Sequence, residues 1–372
     1  MNTPNEPGAM RGTAKKRKRI IDCDIHPRMK SYRDLHPYLS QRWKSHLETY
    51  GLRMRQPFVD APRYPQAVPT FSRRDAWPPE GGVPGSSLSF MKEHYLDPCG
   101  VEYGILFLLH PMGMNDRNLE FGTALSNAAN DWLHNEWTQK EKRLKASLLV
   151  NGEDPQGAVA EIERWGGNKD FVQIFMASRA TEALGRQRYW PIYEAAVRHN
   201  LPMGIHVSGE SGLPGAMGWP SFYEEHHHVQ SFQHRELLTS LVFEGVFERF
   251  PTLRVVLVEG GFAWINSWCW RADRQWTRMR DEVPHLKMPP SEYVRRALYL
   301  TSQPMDEPER ANDLRDVVTW FGWERLLFSS DYPHWDFDDP SQAFKCALSE
   351  SERRGIFFEN AAKLYGLEAR GV

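Results

Sequence analysis

Hydrophobic residues recur in two alternating patterns from residue 19 to near the end of the chain. Short apolar runs rich in branched residues predict buried β-strands, and longer segments with apolar residues every three or four positions predict amphipathic helices. Eight predicted strands cover residues 19–27, 103–111, 144–151, 171–178, 201–209, 253–261, 297–303 and 325–336. Eight predicted helices cover residues 34–51, 119–140, 155–165, 190–200, 234–250, 263–281, 309–322 and 353–367.

This alternation predicts an α/β fold with a parallel sheet. Strands separated by helices are joined by crossover connections, and no Asn-Gly pair between two apolar runs signals an antiparallel hairpin. Eight strand–helix units fit a closed (β/α)8 TIM barrel that ends in a C-terminal helix. An open, doubly wound sheet is the alternative, but no GxGxxG motif follows the first strand.

Two stretches stand apart from the alternating pattern. Residues 1–18 are polar and contain all but the last residue of the basic run KKRKR (15–19), so we expect a disordered basic tail, with a nucleic-acid or targeting patch as the alternative. Residues 19–372 form the barrel domain, in which the Pro/Gly/Ser-rich segment 56–95 predicts a lid over the barrel mouth. Four arginines in or near this segment are either contacts for an anionic substrate or solvated loop residues: Arg53, Arg55, Arg73 and Arg74.

Composition excludes several classes of partner. The net charge of −2 and the isoelectric point near 6.7 give no reason to expect nucleic acid as a partner. No apolar run approaches the roughly 20 residues that cross a bilayer, and the N-terminus lacks the apolar core of a secretory signal. The four cysteines are far apart in the sequence and form no CxxC pair. We therefore expect a cytoplasmic protein with reduced thiols.

Polar residues interrupt the first predicted strand, RIIDCDIHP, at alternate positions. Asp22, Asp24 and His26 share one face of an extended chain, because side chains of a strand alternate between its two faces. The C-terminal strand ends of a barrel converge on one mouth, where the active sites of this fold lie. We therefore expect this face to point into the barrel, with Asp22 bonding backbone groups or orienting a ligand.

Other predicted strands also end in residues that can bind a metal or move a proton. They are His110, His206, Glu259 and Asp331. Imidazole nitrogens and carboxylate oxygens suit zinc, iron, manganese or nickel. We predict a divalent cation with an open coordination position and four ligands: Asp24, His26, His206 and Asp331. Such a cation acidifies a bound water, and Asp331 could accept the proton of that water.

Several of these residues also have a purely structural interpretation. A single histidine in an apolar strand is more often a hydrogen-bonded core residue than a metal ligand. His110 precedes a proline and could cap its strand instead of acting at the site. The three histidines 226–228 are typical of an exposed polar loop, but they lie between two candidate strand ends. His227 and His228 are therefore candidates, with Glu259 and His110, for contacts to a substrate or to a second metal.

Five segments carry a family resemblance: DCDIHP (22–27), PMGIHVSG (202–209), GVFERFPTLRVVLVEGG (245–261), LLFSSDYPHWD (326–336) and FFENAAKLYGL (357–367). They resemble the amidohydrolase superfamily, in particular the branch around aminocarboxymuconate-semialdehyde decarboxylase and related metal-dependent hydrolases. The resemblance implies a distorted (β/α)8 TIM barrel, one divalent metal ion and often a homodimer. It also implies the same ligand positions: Asp24 and His26 on the first strand, His206 on the fifth and Asp331 on the eighth.

The sequence departs from this branch at two positions. Many members begin with His-x-His, whereas Asp24 makes the first ligand of this chain a carboxylate. The decarboxylases of the branch carry a catalytic histidine at the end of strand six, in a stretch like HGGG, whereas this chain reads VEGG. Glu259 at that position can act as a base or bind metal, but it cannot donate a proton as an imidazolium does.

These observations favour a metal-dependent hydrolase or decarboxylase that acts on a small anionic molecule with a carboxyl or acyl group. In this hypothesis Asp331 handles the proton, and Glu259 is a second base or orients the substrate. Zinc is the first expectation for the metal, with manganese or one or two irons as alternatives. A non-haem diiron oxygenase is the alternative function, because Asp24, Glu259 and Asp331 could hold two irons. A non-catalytic binding barrel is a third hypothesis, but every predicted ligand position holds a competent donor.

Overall fold

The computed structural model of the chain describes residues 19–52, 68–110, 113–114, 116, 118–208 and 220–370. The expected basic tail at 1–18 lies outside the described residues, as do Arg53, Arg55 and the first part of the proposed lid, 56–67.

Eight parallel strands form a single sheet in sequence order. They are β1 (Ile20–Ile25), β2 (Val101–Leu106), β3 (Leu144–Leu149), β4 (Phe171–Ala177), β5 (Met203–His206), β6 (Val255–Val258), β7 (Leu298–Thr301) and β8 (Leu326–Leu327). The sheet closes where β1 meets β8 and the chain that follows it: Cys23 N donates to Phe328 O at 2.9 Å, and Asp331 N donates to Asp24 O at 3.1 Å. The predicted (β/α)8 barrel is confirmed.

Helices connect the strands around the barrel. The first six are α1 (Gln41–Tyr50), α2 (Leu88–Met91), α3 (Asp97–Cys99), α4 (Leu119–Trp132), α5 (Pro155–Trp165) and α6 (Trp190–Arg198). The others are α7 (Tyr223–Phe243), α8 (Val246–Arg249), α9 (Trp264–Met279), α10 (Pro290–Ala297), α11 (Ala311–Phe321), α12 (Glu350–Arg354) and α13 (Asn360–Tyr365). Helix α5 has its predicted bounds because Asp154 Oδ1 accepts from Gly157 N at 3.0 Å and a proline occupies the first turn.

The predicted helix 34–51 is divided in two. A 3-10 turn spans Tyr32–Tyr38, and α1 begins only after Ser40, whose backbone is extended. Pro37 lies within the 3-10 turn and lacks the N–H that would continue a helix. The predicted C-terminal helix instead begins at Glu350, capped by Ser349, and passes through one wider turn before α13.

The prediction of a polar loop at the three histidines is wrong. Helix α7 begins at Tyr223, so residues 226–228 lie in its first turns, well before the predicted start at 234. The Glu225 carboxylate caps this end, accepting hydrogen bonds from Ser221 N at 2.7 Å and Phe222 N at 2.8 Å. At the other end, the predicted helix is interrupted by Gly245, whose φ of 81° separates α7 from α8.

The described part of the proposed lid, residues 68–95, contacts the chain that follows β8. Arg73 N donates to Pro333 O at 3.0 Å, and Trp335 N donates to Phe71 O at 2.8 Å. At Gly85 the segment also approaches β1, since a Cβ there would lie 2.3 Å from the His26 carbonyl oxygen. Movement of this segment over the barrel mouth stays a prediction.

The two described arginines of the proposed lid differ in their surroundings. Arg73 Nη2 lies 2.6 Å from Asp75 Oδ2, and its guanidinium lies 4.3 Å from the centre of the Phe337 ring. Arg74 is exposed. A role of either side chain in binding an anionic substrate stays a prediction.

Candidate active site

Histidines and carboxylates from opposite sides of the barrel meet at the C-terminal strand ends. His206 Nε2, at the end of β5, lies 3.4 Å from Asp24 Oδ2 and 3.0 Å from Glu259 Oε2. His26 Nε2, just after β1, lies 3.1 Å from Asp24 Oδ1 and 2.7 Å from Asp331 Oδ1. All five side chains are buried, and Glu259 is the most accessible, at 11%.

The structure brings three of the four predicted ligands together, and Glu259 takes the place expected for Asp331. Ligand atoms of Asp24, His26, His206 and Glu259 all lie within 4.8 Å of one another, and we call these four residues the primary group. Asp331 instead forms such a group with His26 and His334. Glu259, proposed from the sequence as a base or second-metal ligand, thus belongs to the primary group, and Asp331 approaches this group through His26.

Backbone carbonyls orient both histidines of the primary group. His26 Nδ1 lies 2.9 Å from Phe107 O, and His206 Nδ1 lies 3.1 Å from Val207 O. Because a carbonyl oxygen only accepts hydrogen bonds, each Nδ1 must carry a proton and donate it. In its neutral form each ring therefore presents the lone pair of Nε2 to the centre, which is the usual arrangement of metal-binding histidines.

The primary group has the properties of a metal site. With both rings neutral, His26 Nε2, His206 Nε2 and the carboxylate oxygens of Asp24 are buried acceptors that face one another, at 3.1 Å for His26 and 3.4 Å for His206, with no donor between them. Leaving such atoms unsatisfied costs about 1–3 kcal/mol each. A divalent cation would satisfy all of them at once, and imidazole nitrogen with carboxylate oxygen is a donor set that first-row divalent metals accept. The residues present therefore fit a divalent metal ion.

The electrostatic field at this point favours positive charge. Burial opposes protonation of His206, but the charges of Asp24 and Glu259 raise its pKa to about 10. Burial, followed by the charge of Asp331, raises the pKa of Glu259 to about 7. Burial alone would raise the pKa of Asp24, but the two neighbouring imidazoles lower it. The field that attracts a proton here also attracts a metal cation, and the two compete.

Two of the carboxylates sit on strained backbone. Glu259 has φ 58° and Asp331 has φ 63°, both in the left-handed region that residues with a side chain rarely adopt. Such a conformation costs on the order of 1–3 kcal/mol and persists where the surrounding structure fixes it, often at functional sites.

Asp22 supports the site from behind. Its carboxylate accepts hydrogen bonds from Asp24 N at 3.1 Å and from Ser330 N at 2.9 Å. It also accepts from Ser330 Oγ at 2.6 Å and from Tyr95 OH at 2.5 Å. Burial raises the pKa of Asp22 to about 7 despite these four bonds. Asp22 therefore ties the backbone of one ligand to the residue preceding Asp331 and to the proposed lid.

Three residues at the site were not identified from the sequence. His334 Nδ1 lies 2.7 Å from Asp331 Oδ1. Gln303 Nε2 donates to Asp336 Oδ2 at 2.8 Å, and Asp336 also contacts His227. His334 and Asp336 lie within the SSDYPHWD motif, three and five residues after its aspartate, and Gln303 lies just after β7. The strand-end rule that selected the other residues could have selected Gln303.

The remaining candidates divide into one that belongs to a group of potential ligands and two that do not. His227 Nε2 lies 2.9 Å from Asp336 Oδ2 and belongs to a third group of potential ligands, with Glu259 and Asp336. His110 and His228 are exposed and belong to none of these groups. A role for His110 or His228 in contacting substrate stays a prediction.

An aromatic wall borders the third group. It consists of Phe71, Tyr223, His227 and Trp335. The rings of Phe71 and Tyr223 lie 5.7 Å apart, those of His227 and Trp335 lie 5.4 Å apart, and Trp335 Nε1 donates to Tyr223 OH at 3.1 Å. Because the Phe71 and Trp335 side chains remain partly exposed, the wall can receive another planar ring.

No helix within the described parts of the chain combines the length and the apolarity needed to cross a membrane.

Comparisons with known proteins agree with this architecture. A family model described as Amidohydrolase matches residues 21–367. The gamma-resorcylate decarboxylase of Polaromonas sp. is 25% identical over 293 residues, which cover 73% of this chain and 85% of the relative. The dihydroxybenzoic acid decarboxylase structure from Polaromonas sp., with bound manganese and the inhibitor 2-nitroresorcinol, is similar with a TM-score of 0.65 and 20% identity, covering 94% of this chain and 97% of the other.

A second structure has the same fold. The 5-carboxyvanillate decarboxylase of Novosphingobium aromaticivorans, also with bound manganese, gives a TM-score of 0.69 at 18% identity, covering 94% of this chain and 97% of the other. The family match extends over almost the whole barrel and includes every residue of the primary group. The chain therefore belongs to the Amidohydrolase family, which confirms the resemblance and the expected enzyme class, a metal-dependent hydrolase or carboxy-lyase.

Proposed function

We propose that this chain is a divalent-metal-dependent decarboxylase of small aromatic carboxylates. The observation that carries the proposal is the primary group, in which buried Nε2 atoms and carboxylate oxygens face one another with no donor between them when the rings are neutral. The aromatic wall beside it supports a planar, aromatic substrate. The compared proteins are named as decarboxylases of gamma-resorcylate, dihydroxybenzoic acid and 5-carboxyvanillate, which supports the same substrate class.

In this proposal the residues of the barrel mouth have separate roles in binding the metal, binding the ring and donating the proton. Asp24, His26, His206 and Glu259 would hold the cation, which supplies a Lewis acid for a substrate oxygen. The wall residues bind the ring and exclude water from one of its faces. When the carbon–carbon bond to the carboxylate breaks, the ring carbon keeps the bonding pair and takes a proton from Asp331, and carbon dioxide leaves. His334, 2.7 Å from Asp331, orients that carboxyl group.

Hydrolysis of an acyl compound is the second candidate function. The observation that favours it is Glu259, which replaces the strand-six histidine of the decarboxylases that this chain resembles. A carboxylate 3.0 Å from His206 can accept the proton of an attacking water, as hydrolysis requires. The product distinguishes the two candidates, because decarboxylation releases carbon dioxide and hydrolysis releases an acid and an alcohol or amine.

The functional test uses the full chain loaded with Mn²⁺ and supplied with 2-hydroxybenzoates, 4-hydroxybenzoates and their aryl esters. Under the proposal, carbon dioxide and the decarboxylated phenol appear in equal amounts in the absence of oxygen. Ester cleavage without carbon dioxide would select hydrolysis. The chain loaded with Fe²⁺ is assayed in air in parallel, and oxygen uptake coupled to turnover there would select the iron oxygenase predicted as an alternative from the sequence.

Replacing one primary ligand should remove the metal. In His206→Ala the primary group loses one of its two nitrogen donors, so we expect the bound divalent metal to fall by at least one equivalent per chain, measured by elemental analysis. His110→Ala, which removes a histidine outside the ligand groups, should keep its full metal content. Equal metal content in wild type and His206→Ala would contradict the ligand assignment.

The identity of the metal, the oligomeric state and the location belong to the proposal. Manganese is the first choice, because it is bound in two of the compared structures, whereas zinc was the first expectation from the sequence. Iron stays an alternative. The homodimer implied by the resemblance and the cytoplasmic location stay predictions, and sedimentation velocity tests the first of them.

A further inference from the structure

We propose that a second divalent cation binds beside the first, held by His227, Glu259 and Asp336. Ligand atoms of these three side chains lie within 4.8 Å of one another. They come from α7, from the end of β6 and from the loop after β8. The inference rests on the proposed metal site at the primary group and extends it from one cation to two.

Glu259 is the residue that joins the two sites. It belongs to both groups of potential ligands, and its Oε2 lies 3.0 Å from His206 Nε2 of the primary group. A carboxylate has two oxygens, so one glutamate can bind two cations, which lie about 3.5–4 Å apart in two-metal sites. The left-handed backbone of Glu259, with φ 58°, directs its side chain between the two groups. This conformation costs free energy that a residue with only a packing role would not require.

The charge balance of the site favours two cations. Four carboxylates meet here, each with a side chain no more than 12% exposed: Asp24, Glu259, Asp331 and Asp336. Across the described parts of the chain, the ion pairs of these carboxylates involve histidines and neither lysine nor arginine. Buried carboxylates need compensating charge. In the proposed function Asp331 carries a proton, so three charged carboxylates remain, one more than a single divalent cation balances.

Gln303 gives an independent indication of a missing partner. Its side chain is fully buried, and Nε2 donates to Asp336 Oδ2 at 2.8 Å and to Asp331 Oδ2 at 3.3 Å. The oxygen of the same planar amide, Oε1, is buried without a hydrogen-bond partner. An amide oxygen beside a carboxylate suits a cation or a water bound to one, and either would satisfy Oε1.

The imidazole of His227 is already in place for this role. It is 16% exposed and lies 2.9 Å from Asp336 Oδ2. The rings of Tyr223 and Trp335 lie 5.8 Å and 5.4 Å from it and restrict its orientation. One imidazole and two carboxylates form a nitrogen–oxygen donor set, which suits manganese, iron or zinc. A second Lewis acid at this position would contact a carboxylate or acyl oxygen of a ring stacked on the aromatic wall.

Metal stoichiometry tests the inference directly. The metal-stripped full chain is dialysed against excess Mn²⁺, passed through a desalting column and assayed by elemental analysis. We expect two Mn²⁺ per chain in the wild type and one in Asp336→Asn and in His227→Ala. His228→Ala is the matched control, because it removes the neighbouring exposed histidine of the same helix, and it should retain two.

Electron paramagnetic resonance gives a readout independent of activity. Two neighbouring Mn²⁺ ions give a spin-coupled signal, whereas Asp336→Asn should give the six-line signal of an isolated ion. Asp336→Asn preserves the shape of the side chain, and circular dichroism verifies its fold. A single Mn²⁺ per chain in the saturated wild type, or equal content in wild type and Asp336→Asn, would overturn the inference.

The result also separates this inference from the proposed function. A wild-type chain with one Mn²⁺ that still releases carbon dioxide would refute only the second cation. A chain that binds two Mn²⁺ but turns over none of the carboxylates or esters would keep the second cation and refute the proposed reaction. A chain that binds no cation refutes both.

Discussion

Glu259 and Asp331 hold their carboxylates on backbone that residues with a Cβ seldom adopt. Both follow a barrel strand, and both contact a histidine of the primary group. At such a position the Cβ approaches the neighbouring carbonyl oxygen, which costs roughly 1–2 kcal/mol for an L-residue. The strain brings two side chains to the centre of the mouth that a regular strand end would direct elsewhere.

The strain at Glu259 can be measured by comparing two truncations. Glu259→Gly and Glu259→Ala both remove the carboxylate, but only glycine adopts φ 58° without strain. We expect the metal-free Glu259→Gly protein to be more stable by about 1 kcal/mol, measured by urea unfolding. At the exposed helical residue Glu224 the same pair should give the opposite order, because alanine favours a helix more than glycine does. An alanine variant at 259 as stable as the glycine variant would show that this backbone relaxes without cost.

The residues at the strand ends were easier to predict than the residues that contact them. His206, Glu259 and Asp331 were identified because parallel strand ends must converge, whatever lies between them in sequence. His334 and Asp336 were missed because they lie in an irregular loop after β8, where no periodicity indicates which side chains turn inward. Their contacts depend on the path of that loop against the 68–95 segment, which no local pattern encodes.

Helix α7 was not predicted at its true start, yet its first turns place a residue of the candidate site. Its first turns, YEEHHHVQ, have no apolar residue at helical spacing, so the sequence predicted a loop there. The helix forms because Glu225 caps its start. Neighbouring residues of a helix point about 100° apart. His227 therefore contacts Asp336 while His228 remains exposed, a distinction that a loop would not impose.

A cluster of charged side chains connects the end of the proposed lid to the start of β3. Glu141 Oε2 lies 3.2 Å from Lys92 Nζ and 3.0 Å from Arg143 Nη2, and Arg143 Nη1 lies 2.7 Å from Asp97. Burial alone would raise the pKa of Glu141, but hydrogen bonds from Arg143 and Lys92 lower it to about 2. The Glu141 side chain is 11% exposed, so solvent screens these bonds only partly.

We expect Glu141→Gln to lower the free energy of unfolding by about 1–2 kcal/mol at pH 7, measured in urea. The folded-state pKa lies below the unfolded value of about 4.5. The contribution is therefore complete above pH 4.5 and is lost as the pH falls towards 2, so the two proteins should converge in acid. Glu136→Gln, which removes the more exposed ion pair with Lys140 and keeps an amide oxygen to accept from Tyr38 OH, should change stability by less than about 0.5 kcal/mol. A difference independent of pH would refute the ionic explanation.

At the scale of the whole molecule, the number of strand–helix units in the sequence predicts a barrel. It does not predict how the barrel closes. Strand β8 is only two residues long, and the sheet is completed by backbone contacts of Phe328 and Asp331 with β1. Those contacts join residues about 300 positions apart and leave no signal in either segment. The proposed cation site lies beside this seam, between ligands from β1 and ligands from the opposite strands β5 and β6.

A cation bound there should stabilise the barrel, because it binds only when residues distant in sequence are assembled. Ligand present at 100 times its dissociation constant stabilises a folded chain by about 2.7 kcal/mol, which for a chain of this length corresponds to roughly 3–4 °C in the midpoint of thermal unfolding. We expect Mn²⁺ to raise the midpoint of the chelator-treated wild type by this amount at pH 7.5, measured by calorimetry. The increase should shrink at pH 5.5, because protons compete for the histidine and carboxylate ligands. His206→Ala should show no comparable increase at either pH, and a wild-type midpoint unaffected by Mn²⁺ would mean that no metal joins these strands.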